Sequence, residues 1–183
     1  MEETLTIQNV VASATIGTDL DLNAISAAFD YAEYEPEQFP GLVFRLKEPK
    51  TAALIFRSGK VVCTGAKSVE DVHRAVAKVQ SELSAAGFPV TTDDPGIVVQ
   101  NIVCTADLKT ELNLNAVAIG LGLEKVEYEP EQFPGLVYRL SNPKVVVLIF
   151  GSGKLVCTGA KAVEHAAGAV ERIRNEFQSL GLM

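Results

Sequence analysis

The residues of this chain that could carry covalent or metal chemistry are few and scattered. Its two histidines, His73 and His165, have no nucleophile or acid that recurs beside both of them, as an acid–base catalyst would require. Its three cysteines, Cys63, Cys104 and Cys157, contain no C-x-x-C pair, so neither a zinc site nor a disulfide framework is indicated. Cys63 and Cys157 lie between apolar neighbours and are predicted to be small buried residues. The pattern therefore disfavours an enzyme with a side-chain nucleophile or a bound metal.

Cationic residues are concentrated in two windows of a chain whose net charge is −7. Residues 45–67 contain six Lys or Arg against one acid, a net of +5, and residues 139–161 contain four against none, so the rest carries −16. Both windows contain the segment SGK, but the flanking residues do not fit the phosphate-binding pattern G-x-x-x-x-G-K-[ST]. Because charges farther apart than about 8 Å are largely screened at physiological salt, the windows are expected to form an anion-binding surface on an acidic protein.

Two phrases of the sequence occur twice, and they identify the chain as a tandem duplication. YEPEQFPGLVFRL and LIFRSGKVVCTGAK, within residues 34–67, recur as YEPEQFPGLVYRL and LIFGSGKLVCTGAK within residues 128–161. These blocks are offset by 94 residues, whereas IQNVVASA and VQNIVCTA near the start of each copy are offset by 92. A copy of about 90 residues buries only a modest fraction of its surface alone. The two repeats, predicted as residues 1–91 and 92–183, are therefore expected to pack as one pseudo-two-fold body.

Composition and hydropathy indicate a globular protein. Of its 183 residues, 48% are hydrophobic and 21% charged, which is ordinary for a folded chain. The longest apolar run, residues 145–150, is far shorter than the roughly 20 residues needed to cross a bilayer. The N-terminus lacks the basic and apolar regions of a secretory signal, so the protein is expected to remain inside the cell.

Strands are predicted wherever apolar and polar residues alternate between turn signals. In the first repeat these segments are residues 4–14, 42–47, 51–57 and 60–65, and turns are expected at Glu48-Pro49 and Ser58-Gly59. A short helix with an acidic first turn is predicted to begin at Thr18 or Asp19 and to run through Phe29. Residues 91–96 are rich in turn formers and are expected to join the repeats.

A long amphipathic helix is predicted to close each repeat. Apolar residues recur at intervals of three and four after Lys67, and again at the same positions of the second repeat. Ser68 and Asp71 resemble a capping box at the start of the first of these helices, and Gly87 and Pro89 are expected to end it.

The predicted strands are apolar on both faces, although an antiparallel sheet with helices on one side normally has a polar opposite face. Leu54 and Phe56 share one face while Ala53 and Ile55 share the other. Two helical segments per repeat cover one face only, so the other is expected to be an exposed apolar binding surface. Its few polar members are Asn9, Thr64, Asn101 and Thr158. Such a surface with cationic edges suits the minor groove of A·T-rich DNA, which displays acceptors and no amino group.

The whole chain resembles the TATA-binding proteins of the archaeal type. The resemblance rests on QNV and QNI, on EPEQFPG in both halves, and on LIF-x-SGK-x-VCTGAK in both halves. It implies an α+β fold, a pseudo-two-fold saddle of two repeats, each a five-stranded antiparallel half-sheet with two helices. It also implies a general transcription initiation factor that binds and bends TATA-box promoter DNA from the minor groove, a trait of the family.

The resemblance further implies roles for individual residues. The residues expected to wedge between base pairs at the two ends of the site are Phe39, Phe56, Phe133 and Phe150. Those expected to hydrogen-bond to the central bases are Asn9, Thr64, Asn101 and Thr158. Those expected to press on the floor of the groove are Val11, Leu54, Val62, Val103, Leu148 and Val156. The expected phosphate contacts are Arg45, Lys47, Lys50, Ser58, Lys60, Arg139, Lys144, Ser152 and Lys154. The expected docking residues for transcription factor B are Glu129, Glu131 and Gln132.

Two features of the sequence depart from a symmetric site. Gly151 replaces the cationic Arg57 of the other repeat, so the phosphate contacts need not be symmetric. Both copies of the docking loop read EPEQF, so the choice of the second copy as the partner site rests on the resemblance alone.

The implied partners are TATA-box DNA, transcription factor B and RNA polymerase, with a homodimer possible in the absence of DNA, and no cofactor or metal. The expected location is the cytoplasm, on the nucleoid of an archaeal-type cell. Two alternatives stay open from the residues. One is a protein-interaction module whose apolar surface holds a helix or a second copy, and the other is an enzyme or small-ligand carrier, which the lack of convergent titratable groups disfavours.

Overall fold

The computed structural model describes residues 5–91 and 93–183, and the part of the chain within those limits forms ten strands and four helices. The predicted start of the first strand at residue 4 and the predicted start of the second repeat at residue 92 lie outside the described residues. The elements of the first half are β1 (Thr6–Thr15), α1 (Leu22–Ala28), β2 (Ala32–Tyr34), β3 (Leu42–Lys47), β4 (Lys50–Ile55), β5 (Lys60–Ala66) and α2 (Val69–Ala85). Those of the second are β6 (Val98–Asp107), α3 (Leu114–Leu121), β7 (Val126–Glu127), β8 (Leu136–Ser141), β9 (Lys144–Ile149), β10 (Lys154–Ala160) and α4 (Val163–Ser179).

The chain divides into two compact units. One is Asn9–Gln100, and the other comprises the described residues up to Gln8 together with Asn101–Met183. In the first unit the antiparallel strands are ordered β2-β3-β4-β5-β1, and in the second the order is β7-β8-β9-β10-β6. The predicted α+β class, with a five-stranded antiparallel half-sheet and two helices per repeat, is confirmed. The repeat limits 1–91 and 92–183 stay a prediction.

The core of each unit lies between the half-sheet and its long helix. In the first unit α2 packs on β4 and β5 through Val72, Val76 and Val79, all of which are buried. In the second unit α4 packs on β9 and β10 through its own buried residues, which include Ile173 and Phe177. The predicted spacing of apolar residues therefore corresponds to the buried stripe of both helices. None of the helices in the described ranges is long and apolar enough to cross a membrane.

The short first helix begins later than predicted. Its N-cap is Asp21, whose Oδ1 accepts a hydrogen bond of 3.1 Å from the backbone N–H of Ala24, so no acid lies within its first turn. The preceding segment is tied to the β4–β5 turn, because Ile16 N donates to Gly59 O and Leu20 N donates to Arg57 O. The helix begins at Leu22, after the cap at Asp21, so the predicted start at Thr18 or Asp19 was wrong.

The strand predicted over residues 51–57 is β4 and ends at Ile55. Phe56 closes the turn to β5, since its N–H donates to Lys60 O at 2.9 Å and its carbonyl accepts from Gly59 N at 2.9 Å. Phe56 and Arg57 therefore lie in the turn and not in the strand. The edge strands β2 and β7 were absent from the residue pattern and were implied only by the resemblance. They contain three and two residues, too few for an alternation to register.

Only one of the two hydrogen bonds of the predicted capping box is present at the start of α2. Ser68 Oγ accepts from the N–H of Asp71 at 3.0 Å, but the Asp71 carboxylate accepts from Arg74 Nη1 at 2.9 Å. The helix ends at Ala85, and Gly87 follows with φ of +94°, which confirms the predicted end. In the second repeat Ala162 is the N-cap of α4 and offers no side-chain acceptor.

Candidate nucleic-acid interface

Each half-sheet has a face that the helices do not cover, and we call it the open face. Burial alternates along β4, where Ala53 and Ile55 are buried and Leu54 between them is half-buried. Leu54 lies opposite Val43 and Val62 in the neighbouring strands, so these three side chains form a cross-strand row. The equivalent row of the second unit is Val137, Leu148 and Val156. The predicted groove-floor residues Val11 and Val103 are half-buried in the same way.

Three pairs of open-face residues were missed by the sequence reasoning. They are Val43 and Val137 on the third strand of each repeat, Ala52 and Val146 on the fourth, and Ser13 and Thr105 on the first. The two-residue alternation applied to every strand would have found them.

A β-bulge positions the polar residues of each open face. In the first unit the register shifts between Val10 and Ala12, so that Thr64 and Gly65 of β5 lie opposite one residue of β1. Gly65 has φ of +91°, a backbone conformation that favours glycine, and its N–H donates to Asn9 Oδ1 at 2.7 Å. Asn9 Nδ2 in turn donates to Thr64 Oγ1 at 3.3 Å. The bulge therefore fixes which end of the Asn9 amide lies towards the threonine.

The second unit repeats this arrangement. The register shifts between Cys157 and Ala160, and Gly159, with φ of +94°, donates to Asn101 Oδ1 at 2.6 Å. Asn101 Nδ2 donates to Thr158 Oγ1 at 3.2 Å. In each pair the amide oxygen is engaged by the backbone, and the amide nitrogen keeps a second hydrogen with no partner within the described residues. Since the threonine oxygen accepts, its own hydrogen is free to donate. Each open face thus displays hydrogen-bond donors among apolar side chains.

The four predicted wedge residues occur as two pairs of identical geometry. The ring centroids of Phe39 and Phe56 are 5.8 Å apart at 65°, and those of Phe133 and Phe150 are 5.8 Å apart at 65°. Phe39 and Phe133 are each 38% exposed. In both repeats a buried glycine makes room for the rings. A Cβ at Gly41 would lie 2.8 Å from Phe39 Cε2, and one at Gly135 would lie 2.8 Å from Phe133 Cε2.

The loops that carry Phe39 and Phe133, residues 35–40 and 129–134, are exposed and internally hydrogen-bonded, and we call them stirrups. In the first stirrup Gln38 N and Phe39 N both donate to Glu35 O, at 2.9 and 3.0 Å. In the second, Gln132 N and Phe133 N donate to Glu129 O at the same distances. The predicted docking residues Glu129, Glu131 and Gln132 are all exposed on this second stirrup.

Seven of the nine predicted phosphate contacts lie in turns or at strand ends, Arg45 and Arg139 lie within β3 and β8, and all nine are exposed. Ser58 lies in the β4–β5 turn and Lys60 begins β5, and in the same way Ser152 lies in the β9–β10 turn and Lys154 begins β10. Lys47 and Lys50 flank the β3–β4 turn, whereas in the second repeat Ser141 faces Lys144. The first repeat therefore has one more cation than the second at this end of its half-sheet.

The two arginines of the open faces have acidic partners that the sequence reasoning missed. Arg45 Nε lies 3.2 Å from Glu33 Oε1, and Arg139 Nη2 lies 3.0 Å from Glu127 Oε1. These side chains are all about 60% exposed, and exposed pairs of this kind are worth only about 0–1 kcal/mol. A phosphate can therefore replace the carboxylate as the partner of either arginine.

The titratable groups of the core offer no catalytic constellation. All three cysteines are free and buried, as predicted for Cys63 and Cys157. Burial raises the pKa of each of these two thiols to about 11, which keeps them protonated at neutral pH. Within residues 5–91 and 93–183 no cluster of three or more His, Cys, Asp or Glu side chains could hold a metal.

Comparison with known proteins identifies the family. The family model described as transcription factor TFIID (or TATA-binding protein, TBP) matches residues 4–86 and 96–180, once for each repeat. The chain belongs to the TATA-binding protein family. Because this is a family of transcription factors, the prediction that the chain is not an enzyme is confirmed.

Relatives within the TATA-binding protein family match nearly the whole chain. The TATA-box-binding protein of Archaeoglobus fulgidus is 65% identical over 177 residues, which cover 97% of this chain and 96% of that protein. TATA-box-binding protein E of Halobacterium salinarum is 59% identical and covers 100% of this chain and 97% of its own. The solved structure of the Methanococcus jannaschii TBP has a TM-score of 0.86 and 55% identity, and the match covers 96% of this chain and 98% of that one.

Proposed function

We propose that this protein is a general transcription initiation factor that binds the minor groove of A·T-rich TATA-box DNA through its two open faces. The observation that supports this most directly is the bulge-held asparagine and threonine pair, which occurs in both units. A·T pairs present only the acceptors N3 of adenine and O2 of thymine in the minor groove. A face that offers donors among apolar side chains complements those acceptors. The amino group of guanine would project into these apolar side chains and meet the donors, so G·C pairs are disfavoured.

The paired phenylalanines support a role in bending the duplex. Apolar side chains that enter between base pairs unstack them and kink DNA towards the major groove. Phe39 and Phe133 are exposed at the stirrups, and each rests against a second ring, Phe56 or Phe150, that limits its movement. Phe39 and Phe56 are proposed to wedge at one end of the site and Phe133 and Phe150 at the other.

The cationic residues support binding to the phosphate backbone on both sides of the groove. Neutralising phosphates releases condensed counterions, which makes the affinity depend steeply on salt. Arg45 and Arg139 are proposed to exchange Glu33 and Glu127 for phosphates when DNA binds, since the exposed ion pairs hold them only weakly.

A titration of A·T-rich and G·C-rich duplexes at several salt concentrations tests the proposal. Tight binding to the A·T duplex with a steep salt dependence is expected, together with weaker binding to the G·C duplex. Self-association that is insensitive to salt, with no duplex binding, would favour the protein-interaction alternative.

The wedge assignment has its own test in a fluorescence assay that measures the end-to-end distance of a TATA duplex. The double variant Phe56→Ala and Phe150→Ala is expected to reduce bending more than it reduces overall affinity. Unchanged bending would refute the wedge assignment while leaving the groove assignment standing.

The second stirrup is proposed to dock transcription factor B through Glu129, Glu131 and Gln132. Exposed apolar residues lie beside the second stirrup, and the first repeat differs at the equivalent positions. Ile119 and Leu123 are 72% and 69% exposed, and they line a cavity of about 550 Å³ together with Glu129. Counted from the equivalent N-caps Asp21 and Asn113, the first repeat has Ala27 in place of Ile119, and it has two fewer residues before its stirrup. An exposed apolar patch beside acidic residues is typical of a protein-binding site.

Charge reversal tests this docking site. Glu131→Lys is expected to abolish recruitment of transcription factor B to a protein–DNA complex in a gel-shift assay, while DNA binding itself persists. Glu37→Lys, the matched change in the first stirrup, is expected to leave recruitment intact. The opposite pattern would assign the partner to the first stirrup.

Recruitment of RNA polymerase is proposed to follow from the docking of transcription factor B, and the chromosome in the cytoplasm is the proposed place of action. A homodimer through the open faces is proposed for the DNA-free protein, since these faces expose apolar side chains when no groove covers them. Sedimentation at several concentrations tests this, and TATA duplex is expected to dissociate the dimer.

A further inference from the structure

A cavity of about 820 Å³ in the second unit extends beyond the proposed DNA interface, with which it shares Arg139, Lys144, Val146 and Thr158. It lies between the β8–β9 turn, the end of β10 and the first turns of α4. We call it the β8–β9 cavity, and its lining includes Arg139, Pro143, Lys144, Lys161, His165 and Gly168. The buried side chains of Leu140 and Val145 form part of its wall, so the cavity is apolar inside and charged at its rim.

The equivalent position of the first repeat is occupied by an ion-pair network. Arg74 Nη2 lies 2.7 Å from Glu48 Oε1, and Arg74 Nη1 lies 2.9 Å from Asp71 Oδ1. The guanidinium thus bridges the β3–β4 turn and the first turn of α2. Pro49, beneath this network, is buried, whereas its counterpart Pro143 is half-exposed.

All three members of that network are replaced in the second repeat. At an offset of 94 residues, Asn142 stands for Glu48, His165 for Asp71 and Gly168 for Arg74. A Cβ built at Gly168 would have no neighbouring atom within 4 Å. The neighbouring contact is retained, because Arg172 Nη1 donates to Asn142 O just as Lys78 Nζ donates to Glu48 O. The turn and helix therefore keep their relation, and only the side chains that would fill the space between them are missing.

The replacements also change the charge of the site. Two carboxylates and the Arg74 guanidinium are lost, a net change of +1, while Arg139, Lys144 and Lys161 remain on the walls and Glu164 is the acid that lines the cavity. The N-terminus of α4 lies at the same rim, where the helix dipole adds positive partial charge, although the N–H of His165 donates to Ala162 O at 3.0 Å. An anionic group is therefore favoured here, beside an apolar recess.

We propose that the β8–β9 cavity binds an acidic segment of a partner protein, with one apolar side chain in the recess and its carboxylates on Lys144 and Lys161. A nucleic-acid backbone can reach only the part of the rim that belongs to the proposed DNA interface, Arg139 and Lys144, because it has no apolar group for the Leu140 and Val145 wall and its phosphates would be repelled by Glu164. The first repeat cannot bind such a segment, since Arg74 and its two carboxylate partners fill the space. The site goes beyond the DNA-binding proposal and gives the protein a partner surface on one half only.

The network of the first repeat supplies the matched variant. The triple change Asn142→Glu, His165→Asp and Gly168→Arg is expected to close the cavity by forming the same ion pairs that Arg74 makes with Glu48 and Asp71 in the first unit. None of these three residues belongs to the proposed DNA interface. The probe is a fluorescein-labelled peptide that alternates Asp with Leu and Phe, compared by anisotropy with the same peptide carrying Asn for Asp.

The unmodified protein is expected to bind the acidic peptide at least about tenfold more tightly than the Asn peptide, and the triple variant is expected to lose that difference. Lys161→Ala, a single surface change, is expected to lower the affinity for the acidic peptide by about threefold or more. Lys67→Ala, the matched change in the first repeat, is expected to leave that affinity unchanged. Thermal unfolding of each variant checks that it folds, and affinity for an A·T duplex is expected to change by less than about twofold.

Equal binding of the acidic peptide by the unmodified protein and the triple variant would overturn the proposal. The proposal would also be overturned if neither protein bound the peptide and the triple variant bound DNA more weakly, since that result would mean that the cavity contacts DNA phosphates. Loss of A·T preference in the unmodified protein would instead count against the DNA-binding proposal and leave the peptide comparison intact.

Discussion

The orientation of a single amide group decides what each open face can recognise. Asn9 and Asn101 were predictable from the sequence by their type and by the two-residue alternation of the first strands. Their orientation was not, because it depends on a bulge that breaks the register between two strands far apart in the chain. The backbone N–H groups of Gly65 and Gly159 bind the amide oxygens, so the nitrogens are left to donate.

Replacing one asparagine by aspartate tests this arrangement. In Asn101→Asp one carboxylate oxygen still accepts from Gly159 N, so the fold is expected to persist. The other oxygen replaces the donor Nδ2 and accepts from the Thr158 hydroxyl, so both donors of that face are lost. Affinity for a TATA duplex is expected to fall by about 1–3 kcal/mol, which anisotropy titration measures. Asn9→Asp in the other unit is the matched variant.

A comparable loss is expected for Asn9→Asp if both faces read bases in the same way. Unchanged affinity in both variants, with normal thermal unfolding, would mean that these amides do not contact the bases.

The phenylalanine pairs offer a second residue-scale prediction, through the glycines that accommodate them. A Cβ in Gly135→Ala would lie 2.8 Å from Phe133 Cε2 and 2.9 Å from Phe150 Cε1, closer than carbon atoms pack. At least one ring must shift. Bending of a TATA duplex, followed by energy transfer between its ends, is therefore expected to decrease although no phenylalanine has been removed.

Gly41→Ala is the matched variant for the other pair, because its Cβ would lie 2.8 Å from Phe39 Cε2 and 3.0 Å from Phe56 Cε1. It should reduce bending in the same way, and the combination of both changes should reduce it further. A double variant that bends DNA as the unmodified protein does would show that the pair geometry is irrelevant to bending.

At the scale of elements, a helix or strand could be predicted when its alternation of apolar and polar residues extends over enough of the chain. The helices α2 and α4 have 17 residues each, and their apolar spacing extends over several turns, so both were predicted. The strands β2 and β7 were missed because a few residues at a sheet edge carry no measurable alternation. The start of α1 was misplaced because Thr18, Asp19 and Asp21 are all residue types that cap helices, and the observed N-cap is the last of them.

The N-caps of the two long helices give a prediction with an internal control. Ser68 Oγ accepts from the Asp71 N–H at 3.0 Å, whereas Ala162 offers α4 no such bond. Ser68→Ala is expected to lower the free energy of unfolding by about 1 kcal/mol, equivalent to a fall of about 2–4 °C in Tm. Ala162→Ser is expected to raise it by a smaller amount, because its hydroxyl would accept from the N–H of His165, which already donates to Ala162 O at 3.0 Å.

Urea or thermal unfolding measures both changes. If each variant changes the free energy of unfolding by less than about 0.3 kcal/mol, the helix termini contribute little to stability, and packing of the helices on the sheet dominates.

At the scale of the whole molecule, the distribution of charge matters more than its total. The net charge of −7 repels DNA at a distance, while the windows at residues 45–67 and 139–161 attract it at contact. The sequence alone revealed this contrast, since it requires only the order of residues. What it could not reveal is that Arg45 and Arg139 are paired with Glu33 and Glu127, which lie on short edge strands that the pattern missed.

This contrast predicts an unusual salt dependence. Near 0.15 M salt the Debye length is about 8 Å, so only charges close to the DNA act on it. With the seven cations proposed as phosphate contacts, the plot of log K against log salt should have a slope of about −6 in this range. At 0.01 M the Debye length is about 30 Å and the acidic remainder of the chain also acts, so the slope should flatten or reverse sign.

Neutralising acids that lie outside the proposed interface separates the two effects. Asp30, Glu70 and Glu171 are exposed on or beside the helices, and changing them together to Asn, Gln and Gln removes three negative charges. This variant is expected to bind several-fold more tightly than the unmodified protein at about 0.01 M salt, and equally at about 0.15 M. Anisotropy titration of one duplex across the range measures both. A plot that stays straight to low salt, or an equal gain at every salt concentration, would mean that the acidic body does not act through screened long-range repulsion.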